Sequence, residues 1–239
     1  MNNIKYFLLI FIVLLLVKNQ AQDLKKSEIK FYPINHASFI IISPIITIYV
    51  DPVQNFITYS KYPSPDIILI TDLHRDHLKK EVVALIKKEK TKIIAPVAVI
   101  SKLGFGEMLN NGDEIKVAGV IIKAIPMYNN TKDRLKFHSK GRGNGYILTI
   151  NGKRIYISGD TEDIKEMREL KNIDYAFVCM NLPYTMSVAK AASAVLEFKP
   201  KVVYPYHYRG PKGYSDIEKF KYLVSKNKFI EIRLLNWYK

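Results

Sequence analysis

A short apolar run followed at once by two histidines and two aspartates is the feature that most constrains this chain. The run Ile67–Ile70 is preceded by Pro65 and Asp66, and it leads into Thr71-Asp72-Leu73-His74-Arg75-Asp76-His77. Such a run between turn-forming and polar residues is typical of a buried strand. Side chains just past a strand's carboxyl end lie where α/β proteins place their sites, and imidazole and carboxylate groups bind divalent metals. A polar turn that caps a helix at Leu78–Lys88 is the alternative interpretation.

Other segments also place a histidine or an aspartate at the end of an apolar run. They are Ile155-Tyr-Ile-Ser-Gly-Asp160-Thr161, Val202-Val-Tyr-Pro-Tyr-His207 and Tyr49-Val-Asp51-Pro52. Asp51 is either an acceptor that orients a ligating histidine or a turn residue before Pro52. His36, in His36-Ala-Ser-Phe, is either a structural histidine or a residue beside the pocket.

Taken in order, these motifs resemble those of the metallo-β-lactamase superfamily, whose signature after the first buried strand is H-x-H-x-D-H. The resemblance covers roughly residues 28–235, and the segments around His36 and Asp51 resemble the branch that includes ascorbate-6-phosphate lactonase and N-acyl-phosphatidylethanolamine phospholipase D. It implies an α/β fold in which two mixed β-sheets form a four-layer αββα sandwich, with metal ligands along one edge.

The resemblance also implies two sets of metal ligands. The second set is complete and contains Asp76, His77, His207 and Asp160, with Asp160 bridging both ions. The first set departs from the family, because it contains Asp72 in place of a histidine, His74, and Asn129 where related sequences have histidine. Oxygen ligands suit manganese, magnesium or ferrous iron better than zinc. We therefore expect one or two divalent ions, zinc or manganese, or else a site that has lost catalysis.

The expected chemistry is activation of water for attack on an ester, a lactone or a phosphodiester. Asp76 would ligate a metal and orient the nucleophile. His138 lies in the glycine-rich segment Phe137–Gly145 and, with Lys140 and Arg142, would face an anionic substrate or a developing oxyanion. A solvated basic loop is the alternative for this segment. Phosphodiesterase or nuclease activity, and a non-catalytic protein that binds a metal or a ligand, are the alternative functions.

The length of the chain limits its number of domains, and its net charge indicates its partners. Its 239 residues suit one sizeable domain, and its net charge is +15, which becomes +13 without Lys5 and Lys18. Such a charge favours anionic partners, but the lysines are scattered. A small anionic substrate is therefore expected, and nucleic acid is possible but not favoured. The single cysteine, Cys179, cannot form an internal disulfide and is expected to fill the core.

The first 21 residues have the pattern of a secretory signal peptide. Lys5 precedes the apolar run Tyr6–Val17, and Ala21 offers a small residue for cleavage. We expect residues 1–21 to be removed, residues 22–239 to form the hydrolase domain, and the product to be secreted or periplasmic without stable membrane insertion. An uncleaved N-terminal anchor is the alternative.

Alternating apolar runs and polar helical stretches predict an α/β protein. We predict strands at Ile29–Tyr32, Phe39–Ser43, Thr47–Val50, Ile67–Thr71, Lys92–Ala95, Glu114–Val117, Val120–Ile125, Tyr146–Ile150, Arg154–Ser158, Ile173–Val178, Val202–Pro205 and Ile230–Leu235. Helices are predicted at Leu78–Lys88, Ile164–Leu170, Val188–Phe198 and Ser215–Ser225. Asn151-Gly152 predicts a two-residue hairpin.

Overall fold

The first of two large sheets is built from the amino-terminal part of the chain. The computed structural model describes residues 28–238, so the predicted signal segment lies outside the described residues. Six strands follow one another in space as in the chain: β1 (Lys30–Asn35), β2 (Ser38–Ile42), β3 (Thr47–Val50), β4 (Ile67–Leu69), β5 (Lys92–Ala95) and β6 (Glu107–Met108). The pairs β1–β2 and β2–β3 are antiparallel, whereas β3 to β6 are parallel.

The second sheet contains seven strands. They are β7 (Glu114–Val117), β8 (Val120–Met127), β9 (Gly143–Ile150), β10 (Lys153–Ile157), β11 (Tyr175–Cys179), β12 (Val202–Tyr206) and β15 (Glu231–Ile232), in the spatial order β15-β12-β11-β10-β9-β8-β7. Strands β7 to β10 pair antiparallel, and β10, β11, β12 and β15 pair parallel. A small hairpin, β13 (Arg209–Gly210) and β14 (Gly213–Tyr214), follows β12.

Helices cover the outer faces of the sheets. Successive side chains along a strand face opposite sides of its sheet, so the buried residues form two cores. The helices are α1 (Phe56–Tyr59), α2 (Lys80–Ile86), α3 (Val97–Leu103), α4 (Lys165–Arg168), α5 (Val188–Phe198) and α6 (Ile217–Val224). In the first sheet Ile67 and Leu69 pack in the core shared with the second sheet, while Ile68 packs with residues of α2 and α3. In β10, Tyr156 packs edge-on against Phe198 of α5. The period of two along each strand therefore gives the layers helix, sheet, sheet and helix.

The predicted strands and helices are confirmed, with ends that differ by at most three residues. Asn151 and Gly152 have φ values of 49° and 73° between β9 and β10, as the predicted hairpin requires. Helix α3 was not predicted, because its β-branched residues favour a strand by propensity. Burial of Val99 and Leu103 outweighs that preference.

The glycine-rich segment is not a loop throughout, which corrects the prediction for residues 143–145. Gly143 and Gly145 belong to β9 and pair with Met127 and Ile125 of β8. A Cβ atom at Gly143 would lie 2.9 Å from the backbone oxygen of Thr71. Glycine therefore allows β9 to approach the segment that carries the histidine and aspartate motif.

Among residues 28–238, the helices lack the combination of length and apolar character that a membrane span requires.

Cys179 lies in β11 and is fully buried. Burial raises the pKa of its thiol to about 12, so the thiol stays protonated at neutral pH. We predict that the native protein does not react with a thiol reagent such as DTNB at pH 8, and that it reacts with one equivalent after unfolding in guanidinium. Rapid labelling of the native protein would contradict the burial of this strand.

Candidate metal centre

The carboxyl ends of strands from both sheets meet at one edge of the sandwich. Asp51 directly follows β3, and the motif from Thr71 to His77 follows β4. Asp160 follows β10 and His207 follows β12 in the other sheet. Sequence positions more than a hundred residues apart therefore converge because parallel strands place their carboxyl ends together.

Asp51 orients one imidazole of the centre. His77 Nδ1 lies 2.8 Å from Asp51 Oδ2, and both side chains are fully buried. The other contacts of this carboxylate come from Thr71, whose backbone N–H and hydroxyl each donate over 2.7 Å. A carboxylate accepts only, so Nδ1 of His77 carries a proton and Nε2 is the nitrogen that can bind a metal. The structure thus gives Asp51 the orienting role, one of the two alternatives from the sequence.

His77, His207 and Asp160 form a compact cluster. His77 Nε2 and His207 Nε2 are 3.1 Å apart, and they lie 3.4 and 3.1 Å from Asp160 carboxylate oxygens. Ligand atoms at the corners of a tetrahedral site with bonds of about 2.0–2.1 Å are separated by about 3.4 Å. The buried Asp160 Oδ1 has no hydrogen-bond donor. Converging lone pairs that lack donors fit a divalent ion, so these residues fit the metal that the motif implies.

Asp76 and His36 complete this side of the centre. Asp76 Oδ2 lies 3.5 Å from His207 Nε2 and 3.4 Å from His36 Nε2, and the side chain of Asp76 is 43% exposed. The imidazole of His36 packs on that of His207 with ring centroids 3.8 Å apart, and its Nδ1 lies 2.8 Å from the hydroxyl of Tyr238. His36 therefore lies beside the ligand cluster, and its bond to Tyr238 also holds the structure together.

The residues predicted for the first metal position have a different arrangement. Asp72 Oδ2 lies 2.8 Å from His74 Nδ1, and Arg142 donates from Nε and Nη2 to the two oxygens of Asp72 over 3.2 and 2.9 Å. Asp72, His74 and His138 each bring one ligand atom within 4.8 Å of the others. The structure therefore brings two predicted ligands together, but with a guanidinium group bound to one of them.

Asn129 and His138 are neighbours in the loop between β8 and β9, and each has a buried atom without a hydrogen-bond partner, Oδ1 of Asn129 and Nε2 of His138. Asn129 Nδ2 donates to the backbone oxygens of Arg134 and Tyr184 over 2.9 and 2.7 Å, so its amide group holds the loop together. His138 Nε2 lies 3.2 Å from Asp160 Oδ2, while its Nδ1 lies 3.2 Å from the backbone oxygen of Tyr184. Of the two, His138 is therefore the side chain whose free nitrogen faces the ligand cluster. The assignment of individual ligands stays a prediction.

Burial opposes charge in this centre, but at Asp160 and His77 the facing groups of opposite charge prevail. Burial alone would raise the pKa of Asp160, yet His207 and His77 hold it well below its usual range. Burial alone would lower the pKa of His77, yet the surrounding carboxylates raise it well above its usual value. Burial lowers the pKa of His207 to about 3. Asp160 is therefore ionised and His207 neutral at pH 7, whereas His77 would release a proton when a metal binds.

Three residues of the centre have strained backbone. His36, Asp51 and His207 have φ values of 56°, 45° and 47°, in the left-handed region that residues with a Cβ seldom adopt. Each conformation costs on the order of 1–3 kcal/mol and persists where surrounding structure enforces it. Its occurrence at three positions of one cluster indicates that the fold is built to place these side chains.

A cavity of about 380 Å³ opens beside the cluster. Its lining residues are His74, Arg75, Asp76, Phe137, His138, Asp160, Asn181 and Tyr184. Asn181 and Tyr184 were missed in the sequence. Their sequence signal is their position just after β11. This strand lies between β10 and β12, which precede Asp160 and His207. Lys140 pairs instead with Glu166 at 3.1 Å, and Tyr206 is buried against Phe39 and Trp237.

Comparison with known proteins places the chain in a family. A model described as a beta-lactamase superfamily domain matches residues 28–207. A metal-dependent hydrolase of the UPF0173 family from Pyrococcus abyssi is 30% identical over 214 residues, covering 82% of this chain and 92% of that protein. A relative of the same description from Thermococcus onnurineus is 34% identical over 169 residues, covering 66% and 74%.

Solved structures share the fold. A protein from Parabacteroides distasonis, described as a metal-dependent hydrolase, has a TM-score of 0.80 at 43% identity, over 86% of this chain and 92% of that one. A metallo hydrolase from Ignicoccus hospitalis has a TM-score of 0.75 at 24% identity, over 88% and 96%, and shows the fold alone. The chain therefore belongs to the beta-lactamase superfamily. It is a metal-dependent hydrolase of the metallo-β-lactamase fold, as the sequence motifs predicted, and its branch stays a prediction.

The orienting role of Asp51 can be tested through metal affinity. Asp51→Asn removes the charged acceptor of the His77 Nδ1 proton, and we expect affinity for Zn²⁺ to fall by about 10–100-fold. Competition with a chromophoric chelator measures this change. Asp66→Asn is the matched control, because Asp66 Oδ2 accepts a backbone N–H from Thr47 over 2.8 Å in the same sheet. Equal Zn²⁺ affinity in the wild type, Asp51→Asn and Asp66→Asn would show that Asp51 does not support a metal ligand.

Proposed function

We propose that the protein is an exported hydrolase that cleaves a small anionic ester, lactone or phosphodiester with a divalent ion held by His77, His207, Asp160 and Asp76. The observation that carries this proposal is the cavity, whose wall includes Asp76 and Asp160 of the ligand cluster. Its size, about 380 Å³, suits a small molecule.

The residues around the cavity have separable tasks. When bound, the divalent ion supplies Lewis acidity and lowers the pKa of a water molecule toward neutrality. Burial would raise the pKa of Asp76, but His77 and His36 hold it below its usual range. Asp76 therefore stays ionised and orients the attacking water by accepting one of its hydrogens. Arg75 is exposed at the rim, where it attracts an anionic group of the substrate.

His138 and Tyr184 act on the substrate side. The Nδ1 proton of His138 is directed to the Tyr184 backbone oxygen at 3.2 Å, which fixes the ring and leaves Nε2 toward the centre. Phe137 packs edge-on against the ring of Tyr184 with centroids 5.1 Å apart. This aromatic pair excludes water from one wall and leaves the other wall to the charged groups.

A small substrate is favoured over nucleic acid by the location of the lysines. A basic hollow formed by Lys199, Lys201, Lys226 and Lys228 lies where β12 begins, whereas His207 follows the end of that strand. The chain therefore separates this basic cluster from the metal centre by the length of the strand. A continuous basic surface leading to the metals would be expected of a nuclease.

The proposed ion is zinc or manganese. Two imidazole nitrogens and the carboxylate of Asp160 suit zinc, and the additional oxygens of Asp76 suit manganese. Export rests on the residue pattern of positions 1–21. Amino-terminal sequencing of protein from the secreted or periplasmic fraction tests export: a start near Gln22 supports it, whereas retention of Met1 in a membrane fraction favours the anchor.

Hydrolysis is tested with the metal-loaded chain on paired anionic and neutral esters, lactones and phosphodiesters, with DNA and RNA beside them. We expect at least one small anionic substrate to be cleaved. We expect Asp160→Ala to lose the metal and to retain less than about a hundredth of the activity, because it removes a ligand shared within the cluster. Glu169→Ala is the control, since Glu169 pairs with Lys165 on the exposed surface, at 3.5 Å.

Three outcomes would contradict the proposal. If the metal-loaded protein hydrolysed none of these esters, lactones and phosphodiesters, the proposed reaction class would be wrong. Equal activity in Asp160→Ala would remove the proposed centre. Faster cleavage of DNA or RNA than of small phosphodiesters would replace a small substrate with a nucleic acid.

A further inference from the structure

The guanidinium group of Arg142 contacts the carboxylate of the predicted first metal position. Its Nη2 lies 2.9 Å from Asp72 Oδ2 and 3.5 Å from His74 Nδ1. Those two atoms are themselves 2.8 Å apart. Because a carboxylate can only accept, the short distance means that His74 Nδ1 carries a proton and donates it to Asp72. Asp72 Oδ2 therefore already accepts from two side chains, whereas His74 keeps only Nε2 as a nitrogen that can bind a metal.

The carboxylate of Asp160 has different surroundings from that of Asp72. There, His77 Nε2 and His207 Nε2 converge on a carboxylate whose Oδ1 lacks a donor. At Asp72, both carboxylate oxygens accept from Arg142, and the geometry is a bidentate pair. A protein side chain therefore supplies the positive charge at Asp72, whereas Asp160 keeps an oxygen that accepts no hydrogen bond.

The fold holds Arg142 in this place. Asn144 donates its backbone N–H to the backbone oxygen of Thr71 over 2.9 Å, so β9 begins alongside the residue before Asp72. The glycine at position 143 permits that approach, and Arg142 directly precedes it. The Asp72 side chain is fully buried and that of Arg142 is 19% exposed. A buried carboxylate must be paired, because an uncompensated charge in the interior is strongly destabilising.

We propose that Arg142 replaces the first metal ion, so that this chain is a one-metal hydrolase whose second positive charge is the guanidinium group on Asp72. An ion bonded to Asp72 would compete with Arg142 for the same carboxylate oxygens and would be repelled by its charge. The single ion belongs to His77, His207 and Asp160. His138 is then left with a free Nε2 facing Asp160 and the cavity.

This inference rests on the proposed function for the identity of the cluster as a metal centre, but its test needs no substrate. The purified full chain is loaded with excess Mn²⁺, or in parallel with Zn²⁺, and unbound metal is removed by gel filtration. Elemental analysis then counts ions per chain, and the electron paramagnetic resonance spectrum of the Mn²⁺ sample shows whether two ions are magnetically coupled. We expect one ion per chain and an uncoupled spectrum.

The decisive variant is Asp72→His with Arg142→Gln, which removes the guanidinium group and supplies an imidazole at position 72. We expect it to bind two ions and to give a coupled Mn²⁺ spectrum. Lys140→Gln is the matched control, because Lys140 lies two residues away in the same loop and pairs with Glu166 outside the centre. We expect this control to keep one ion.

The outcomes separate this inference from the proposed function. Two coupled ions in the wild-type chain would overturn the one-metal assignment, and this count decides even if the double variant does not fold. A folded double variant that still binds one ion would overturn the role of Arg142. One ion without hydrolysis would overturn the proposed function alone, and a wild-type chain that binds no metal would overturn both.

Discussion

The geometry of the metal centre depends on one buried carboxylate. Asp51 ends β3, receives two hydrogen bonds from Thr71 at the end of β4, and a third from His77. It thus ties two neighbouring strand ends together and fixes the imidazole that faces the other sheet. The packed interior on either side keeps water away, so these bonds are strong and costly to break. Because Asp51 and Thr71 hold His77 in one position, its Nε2 lies 3.4 Å from Asp160 of the other sheet.

Much of the fold could be predicted from local sequence. The continuous apolar runs of β3 and β4 reflect burial on both faces of a sheet. The positions of Asp76, His77, Asp160 and His207 could also be predicted, because a residue just past a buried strand must lie at the sheet edge. Strand ends were less certain, since hydrogen bonds to neighbouring strands decide where pairing stops.

The rest depends on contacts that local sequence does not encode. Arg142 meets Asp72 only because β9 lies beside Thr71, and nothing near Arg142 in the chain indicates that approach except the glycine after it. His138 reaches the cluster through a loop held by the Asn129 amide. Motif position alone could not show that the Asn129 amide holds this loop. Helix α3 was missed for a related reason, because the buried sites of Val99 and Leu103 override their intrinsic preference.

The contact between His36 and Tyr238 couples the centre to a segment that is distant in the sequence. His36 lies in the first hairpin, whereas the hydroxyl of Tyr238 bonds its imidazole and accepts the backbone N–H groups of Tyr208 and Arg209. One tyrosine thus joins an imidazole 202 positions away to the segment that follows His207. A local opening of the backbone around Tyr238 would therefore release both sides of the centre at once.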